Sequence, residues 1–122
     1  MIETVKLSEK AKYQLITLKR RTGIQNWNVL CRWAFCLSLA EKSAPLQEDV
    51  ITDSSVEMTW KTFSGGKDDL YMALLLLKAK KDGISFEESK ISIYFKLHLH
   101  RGISYLNGAS TESIEKFIKL AL

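Results

Sequence analysis

The stretch TLKRRTGIQNWNVLCRWAFCLSL, residues 17–39, decides the fold that this 122-residue sequence predicts. Three consecutive cations lead into a Thr-Gly turn, and a long apolar segment follows. Gly23 stands where a helix-ending glycine belongs, because such caps favour the left-handed backbone that glycine adopts most readily. The stretch therefore predicts two consecutive helices with positive charge placed just before the turn between them.

The first of these helices has a clear start and a narrow core face. Ser8 can cap it, and it runs to about Thr22. Ala11, Leu15 and Leu18 recur at helical spacing and form the stripe that we expect to face the core. A short extended segment, IETVKL at residues 2–7, precedes the cap.

Apolar residues outside this stripe predict association with a second subunit. Tyr13 and Ile16 cluster with Arg20 on the side of the first helix that a monomer usually leaves polar. The second helix is apolar on nearly every side, with Arg32 as the one charge before Glu41. A helix of this kind is buried all round. In so short a chain, that burial predicts either a very central position or a homo-oligomer.

The remaining sequence completes a helical bundle. A third helix follows SGGKDD (64–69), buries LYMALLLL (70–77) and stops at Gly83; a fourth runs from about residue 86 to 106. Ser110 or Thr111 caps a short fifth helix, and residues 44–64 are less regular, with a short strand or a helical turn near Trp60. We therefore predict one mainly α domain over residues 1–122. It is a compact bundle of about five helices whose N-terminal half resembles a ribbon-helix-helix arrangement.

Composition excludes several classes. Cys31 and Cys36 lie about 140° apart around a helix, so they cannot pair with each other, and we expect reduced, buried thiols. The longest apolar run, residues 70–77, is far shorter than the ~20 residues of a membrane span. The N-terminus is charged from Glu3 onward, which is unlike a signal peptide. We expect a soluble cytoplasmic protein that has no membrane partner.

Charge is distributed unevenly along the chain. Residues 1–40 carry a balance of +5, whereas residues 41–60 carry a balance of −4. A basic third beside an acidic segment is typical of a protein with one face for a polyanion. The candidate phosphate-binding cations are Lys6, Lys10, Lys12, Lys19, Arg20 and Arg21. They ring the first helix, which suits contacts with phosphates better than the reading of bases. A second, weaker patch consists of Lys78, Lys80 and Lys81.

No stretch assembles a catalytic, metal or cofactor site. SGGKDD lacks the preceding glycine and the Ser or Thr of a phosphate loop. His98 and His100 point about 160° apart on a helix, which prevents them from binding one ion together. The apolar surroundings of Cys31 predict a raised thiol pKa and an unreactive side chain. The sequence therefore predicts no enzyme activity and no cofactor.

The block LKRRTGIQNWNVLCRWAFCLSL, residues 18–39, resembles the DndE family of DNA sulfur-modification proteins, and the likeness extends over essentially the whole chain. The resemblance implies a part in DNA phosphorothioation, in which sulfur replaces a non-bridging phosphate oxygen. It also implies a small helical DNA-binding subunit that forms a tetramer and prefers nicked duplex. The implied partners are a cysteine desulfurase, an iron–sulfur protein and an ATPase-like component. Carried over to the matching block, the implied phosphate contacts are Lys10, Lys12, Lys19, Arg20 and Arg21.

Two other functions remain open from the residues alone. A ribbon-helix-helix transcriptional regulator would pair strands from two subunits and read bases through Thr4 and Lys6. A scaffold without DNA would instead use the acidic segment 41–60 as a docking surface. A nicking activity would need a divalent metal, and no residues that would serve it can be placed.

Overall fold

The computed structural model describes residues 1–121, which form six helices and a two-stranded sheet. The elements are β1 (Thr4–Lys6), α1 (Glu9–Thr22), α2 (Trp27–Ala40), β2 (Glu57–Thr59), α3 (Trp60–Ser64), α4 (Asp68–Lys81), α5 (Glu88–Gly108) and α6 (Thr111–Ala121). The predicted mainly α bundle is confirmed. Both a strand and a helix occur near Trp60, and the short α3 accounts for the helix beyond the predicted five. Within this part of the chain, no helix has the length and apolar character that crossing a membrane requires.

Helix α5 is the centre of the bundle and packs against α2 and α1. Its contact with α2 is very close at Gly102, which is buried. A Cβ atom added there would lie 1.8 Å from the backbone oxygen of Ala34. Only a residue without a side chain lets the two backbones approach to this distance.

An aromatic cluster fills the space between α2, α3 and α5. The ring of Phe95 lies 5.2 Å from the rings of both Phe35 and Phe63, and 5.1 Å from that of Trp60. These centroid separations fall in the range that aromatic pairs favour. Because α3 contributes both Trp60 and Phe63, this short helix is fixed to the core by its side chains.

The predicted ends of α1 are confirmed. The Ala11 N–H donates to Oγ of Ser8 at 3.1 Å, which satisfies one of the free donors at the helix start. Gly23 has a φ of 76° and its N–H donates to the Lys19 carbonyl at 2.9 Å, closing the C-terminal end.

The N-terminal strand finds its partner within its own chain. β1 and β2 are antiparallel, with Val5 opposite Met58 and Lys6 opposite Glu57. The order strand, helix, glycine turn, helix is therefore present as predicted. A ribbon-helix-helix regulator, however, pairs its N-terminal strand with that of a second subunit. In this fold β2 occupies one edge of β1.

In one copy of the chain, α2 and α4 are less buried than their apolar sequences predict; for α2 the alternative of burial in a homo-oligomer stays a prediction. Helix α2 is not buried on all sides within the chain, because Trp33 and Leu37 are among several of its apolar residues that are only half-buried. Helix α4 does not bury the run 70–77: its buried residues are Leu75 and Ala79. The cause is the same in both cases, since a helix at the surface of this bundle contacts the core with one side only.

Candidate nucleic-acid interface

A groove between α1, the start of α2 and the turn before β2 is lined by one of the predicted cations, Lys12, and a second, Lys19, contacts one of its walls. We call it the α1–α2 groove; it has a volume of about 530 Å³ and is lined by Lys12, Asn26, Trp27, Asn28, Ser55, Met58 and their neighbours. Lys12 and Lys19 are seven residues apart on α1 and therefore lie on the same flank of the helix. Lys12 lines the groove directly, and Lys19 lies over one of its walls.

Both lysines have specific contacts that fix their position. Nζ of Lys19 lies 4.4 Å from the ring centroid of Trp27, a cation–π contact across the Gly23 turn. Nζ of Lys12 donates to Oγ of Ser55 at 3.3 Å. Neither contact neutralises the charge, so both ammonium groups keep their attraction for an anion at this groove.

The N-terminus of α2 opens into the same groove. Its N-cap residue, Asn26, makes no side-chain hydrogen bond to the first turn, and that turn has no acidic residue. The side chain of Asn28 donates instead to the Thr62 carbonyl at 3.1 Å. Backbone N–H groups at a helix N-terminus carry partial positive charge and favour anions. Two lysines and a helix end thus place positive charge at this groove, and the carboxylate of Glu57 lines it as well.

The other four predicted cations do not join this pair. Arg20 is exposed on the outer side of α1, with Tyr13 and Ile16. Lys10 faces a cavity of about 640 Å³ between α1, α5 and the acidic segment. Lys6 lies on β1, where it lines a separate pocket with Lys96 of α5. The six cations therefore surround α1, as the sequence predicts, and form no single site in one copy of the chain.

The side chain of Arg21 is engaged in hydrogen bonds within its own chain. Its guanidinium donates to the carbonyl oxygen of Asn107 at 2.7 Å and to that of Ala109. These carbonyls lie at the C-terminal end of α5, where helix carbonyls lack partners within the helix. Arg21 thus holds the end of α1 to the junction between α5 and α6.

The weaker patch at the end of α4 is also partly engaged. Lys78 donates to the Glu41 carbonyl at 2.9 Å, while Lys80 and Lys81 are exposed. All three belong to the last turn of α4, where cations stabilise the negative end of the helix dipole.

The buried titratable groups are held in neutral forms. Burial raises the pKa of the Cys31 thiol to about 12, as its apolar surroundings predict. Both cysteines are free, but the prediction that both are buried holds only for Cys31, because Cys36 is half-buried. Burial, with the nearby Arg101 guanidinium, lowers the pKa of His98 to about 4. Burial also lowers the pKa of His100, whose Nε2 accepts from the Ser8 N–H at 3.1 Å.

Residues 1–121 contain no cluster of three or more His, Cys, Asp or Glu side chains that could bind a metal ion. His98 and His100 are both buried in α5. The Nδ1 atom of His98 lies 2.8 Å from Oγ of Ser38, which also accepts from Nε of Arg101 at 2.9 Å. This network joins α2 to α5 and presents no nucleophile to solvent.

Sequence patterns missed two residues. Arg101 binds both the Ser38 carbonyl and the Ser43 carbonyl at 2.9 Å, and so anchors the start of the acidic segment. The sequence pattern places Trp27 only within an apolar helix, whereas its ring forms a wall of the α1–α2 groove. The sequence does contain a signal for this contact. Trp27 begins a helix only eight residues after Lys19, and Gly23 turns the chain between them, so the two side chains can meet.

Fold and groove together define a class: a small, mainly helical bundle with Lys12 in a groove beside the start of α2. The chain belongs to the DndE family, since the family model "DNA sulphur modification protein DndE" matches residues 4–113. This confirms the resemblance seen in residues 18–39. No curated relative matches the chain.

Two solved structures share the fold. The crystal structure of DndE from Escherichia coli B7A, described as involved in DNA phosphorothioation modification, has a TM-score of 0.73 and 22% sequence identity. That match covers 87% of this chain and 98% of the other. A DndE double mutant with lysine in place of two glycines, also described as involved in DNA phosphorothioation, has a TM-score of 0.67 and 18% identity. It covers 89% of this chain and 100% of the other.

Proposed function

We propose that this protein is the DNA-binding subunit of a DNA phosphorothioation system, that it acts as a homo-oligomer and that its preferred ligand is nicked duplex. Membership of the DndE family supports the system. The observation that carries DNA binding is the α1–α2 groove, where Lys12 and Lys19 flank the uncapped start of α2. We propose no catalytic step for it; other components of the system would carry out the sulfur chemistry.

In this proposal the groove contacts the phosphate backbone and not the bases. Lysine ammonium groups and helix N-termini bind phosphate oxygens without regard to sequence. Arg20, Lys10 and Lys6 lie around α1 on other sides, so they extend the positive surface only where several subunits combine. Arg21 contributes to this surface chiefly by fixing the end of α1.

The test is a salt titration of binding to intact and nicked duplexes of unrelated sequence. We expect log K to fall linearly with log salt, with little preference for sequence and tighter binding of the nicked duplex. A preference of ~10³ or more for one sequence would instead support a ribbon-helix-helix regulator. Complete absence of binding would support the scaffold that docks through the acidic segment.

A double variant tests whether DNA binds at the α1–α2 groove. We expect Lys12→Glu with Lys19→Glu to weaken DNA binding at least about tenfold and to make its salt dependence shallower, because each lost phosphate contact removes ~0.9 from the slope. The matched control is Lys42→Glu with Lys90→Glu, which changes the net charge by the same amount at two exposed lysines outside the groove. Equal losses in both variants would show that net charge, not the groove, determines binding.

A further inference from the structure

A small pocket between β1 and the first half of α5 is lined by positive and hydroxyl side chains. We call it the β1–α5 pocket; it has a volume of about 190 Å³ and shares no lining residue with the α1–α2 groove. Its polar lining consists of Thr4, Lys6, Thr52, Ser92 and Lys96. Among the residues that the structure describes, no acidic one lines this pocket.

Three parts of the fold bring these five side chains together. Thr4 and Lys6 are two residues apart on β1, so their side chains leave the same face of the strand. Ser92 and Lys96 are four residues apart on α5 and share one side of that helix. Thr52, in the irregular chain before β2, is half-buried beside them. Residues distant in the sequence thus converge on one small space.

The fold itself does not use these polar side chains. Within the described part of the chain, none of the five makes a side-chain hydrogen bond or an ion pair. Lys6 stands opposite Glu57 in the sheet, but the carboxylate of Glu57 lines the α1–α2 groove instead. Ammonium groups and hydroxyls can all donate hydrogen bonds. The pocket therefore offers five donor side chains, two of them positively charged, to a ligand that accepts.

This combination fits a terminal phosphate group. Such a group carries a charge of about −1.5 to −2 at pH 7 and presents three strong acceptor oxygens. Two lysines balance that charge, and the hydroxyls supply further donors. The buried side chains of Val5, Phe95 and Leu99 also line the pocket, and an apolar wall strengthens the attraction between charges. A volume of about 190 Å³ admits one such group and leaves no space for a duplex.

We propose that the β1–α5 pocket binds a phosphate group that has at least three unesterified oxygens. Free phosphate and the 5′-phosphate at the end of a DNA strand both supply this chemistry. The inference goes beyond the proposed function, in which the α1–α2 groove contacts phosphates within a strand. It does not depend on that function, because free phosphate alone can test it.

The first test is a titration of the full chain with inorganic phosphate, at constant ionic strength, followed by nuclear magnetic resonance. We expect the backbone amide signals of residues 4–6 and 92–96 to shift and to saturate at millimolar phosphate, while those of α4 stay in place. Signals that do not saturate, or that shift equally over every lysine-bearing surface, would overturn the proposal.

Two lysine variants separate the pocket from net charge. We expect Lys6→Gln with Lys96→Gln to raise the Kd for phosphate at least about tenfold, because two charged donors are lost. The matched control is Lys80→Gln with Lys81→Gln, which removes the same charge at two exposed lysines of α4. An equal loss of affinity in both variants would contradict a specific site.

A third variant keeps the charge and removes hydroxyls. Thr52→Val with Ser92→Ala leaves both lysines in place, and we expect it to raise the Kd for phosphate about threefold or more, because two donors to the anion are lost. An unchanged Kd would mean that phosphate is attracted by the lysines alone, without the pocket, and would overturn the proposal.

Nicked duplexes of one sequence identify the source of the phosphate. If a 5′-phosphate at the nick strengthens binding relative to a 5′-hydroxyl, and Lys6→Gln with Lys96→Gln abolishes that difference, the pocket takes the end of a DNA strand. Equal binding of the two duplexes, with saturable binding of inorganic phosphate, assigns the pocket to free phosphate. If phosphate fills the pocket and no duplex binds, the pocket stands and the proposed function fails. If duplex binds while phosphate leaves residues 4–6 and 92–96 unchanged, the pocket fails and the proposed function stands.

Discussion

Arg21 has the positive charge expected of a phosphate contact, but its hydrogen bonds hold two parts of the fold together. Sequence placed it with Lys19 and Arg20 as a phosphate contact, because three consecutive cations look alike in a sequence. Its partners, the carbonyls of Asn107 and Ala109, lie more than 80 residues away along the chain. No local pattern encodes so distant a contact. Burial of Cys31 and the helix caps of α1 were predictable, since both follow from neighbouring residues.

Removing this contact should affect stability. We expect Arg21→Ala to lower the free energy of unfolding by about 1–3 kcal/mol, because a charged donor and two carbonyls lose their hydrogen bonds. Urea denaturation measures the change, and Arg20→Ala, at an exposed position beside it, is the control. Equal stability of the two variants would mean that the contact with the α5–α6 junction contributes nothing.

His98 makes stability depend on pH. Its pKa is 6.5 when unfolded and about 4 when folded, so the folded protein keeps this side chain neutral. Stability from this group is complete above pH 6.5 and is lost as the pH falls from 6.5 towards 4. We expect a loss of about 1–2 kcal/mol between pH 7 and pH 5, measured by urea denaturation. His98→Gln should flatten that dependence; an unchanged slope would assign it to other groups, including His100.

At the scale of elements, the sequence predicts a glycine that ends a helix, but it does not predict a glycine at a helix crossing or which side of an apolar helix is buried. Gly23 ends α1 as predicted, because a helix-ending glycine has a local pattern. Gly102 could not be recognised, because the need for it comes from Ala34 on another helix. The run 70–77 reads as core, but four leucines in a row point to every side of a helix, and only one side faces α5.

The crossing of α2 and α5 should tolerate no side chain at position 102. We expect Gly102→Ala to destabilise the protein by several kcal/mol or to prevent folding, because the added carbon would overlap a backbone oxygen that cannot move alone. Gly108→Ala, on the same helix with no atoms near its added carbon, is the control and should be neutral or slightly stabilising. Thermal unfolding monitored by circular dichroism measures both. A folded Gly102→Ala protein of wild-type stability would contradict this crossing.

For the whole molecule, DNA binding and self-association should be coupled through the number of grooves in contact with one duplex. A paired molecule neutralises more phosphates than a single copy, and each phosphate adds ~0.9 to the salt dependence of log K. We expect protein diluted below the dissociation constant of the oligomer to bind duplex with a shallower slope than the assembled protein, although the groove of each copy is intact. Equal slopes at both protein concentrations would mean that one groove acts alone.

The stacking of Lys19 on Trp27 makes the groove visible to spectroscopy. An ammonium group 4.4 Å above an indole perturbs the excited state of that ring. A phosphate that draws Lys19 away would change both the charge and the solvent beside Trp27, whereas Trp60, buried among aromatic rings, would keep its surroundings. Intrinsic tryptophan emission therefore offers a label-free signal of occupancy, built into the wall of the groove itself.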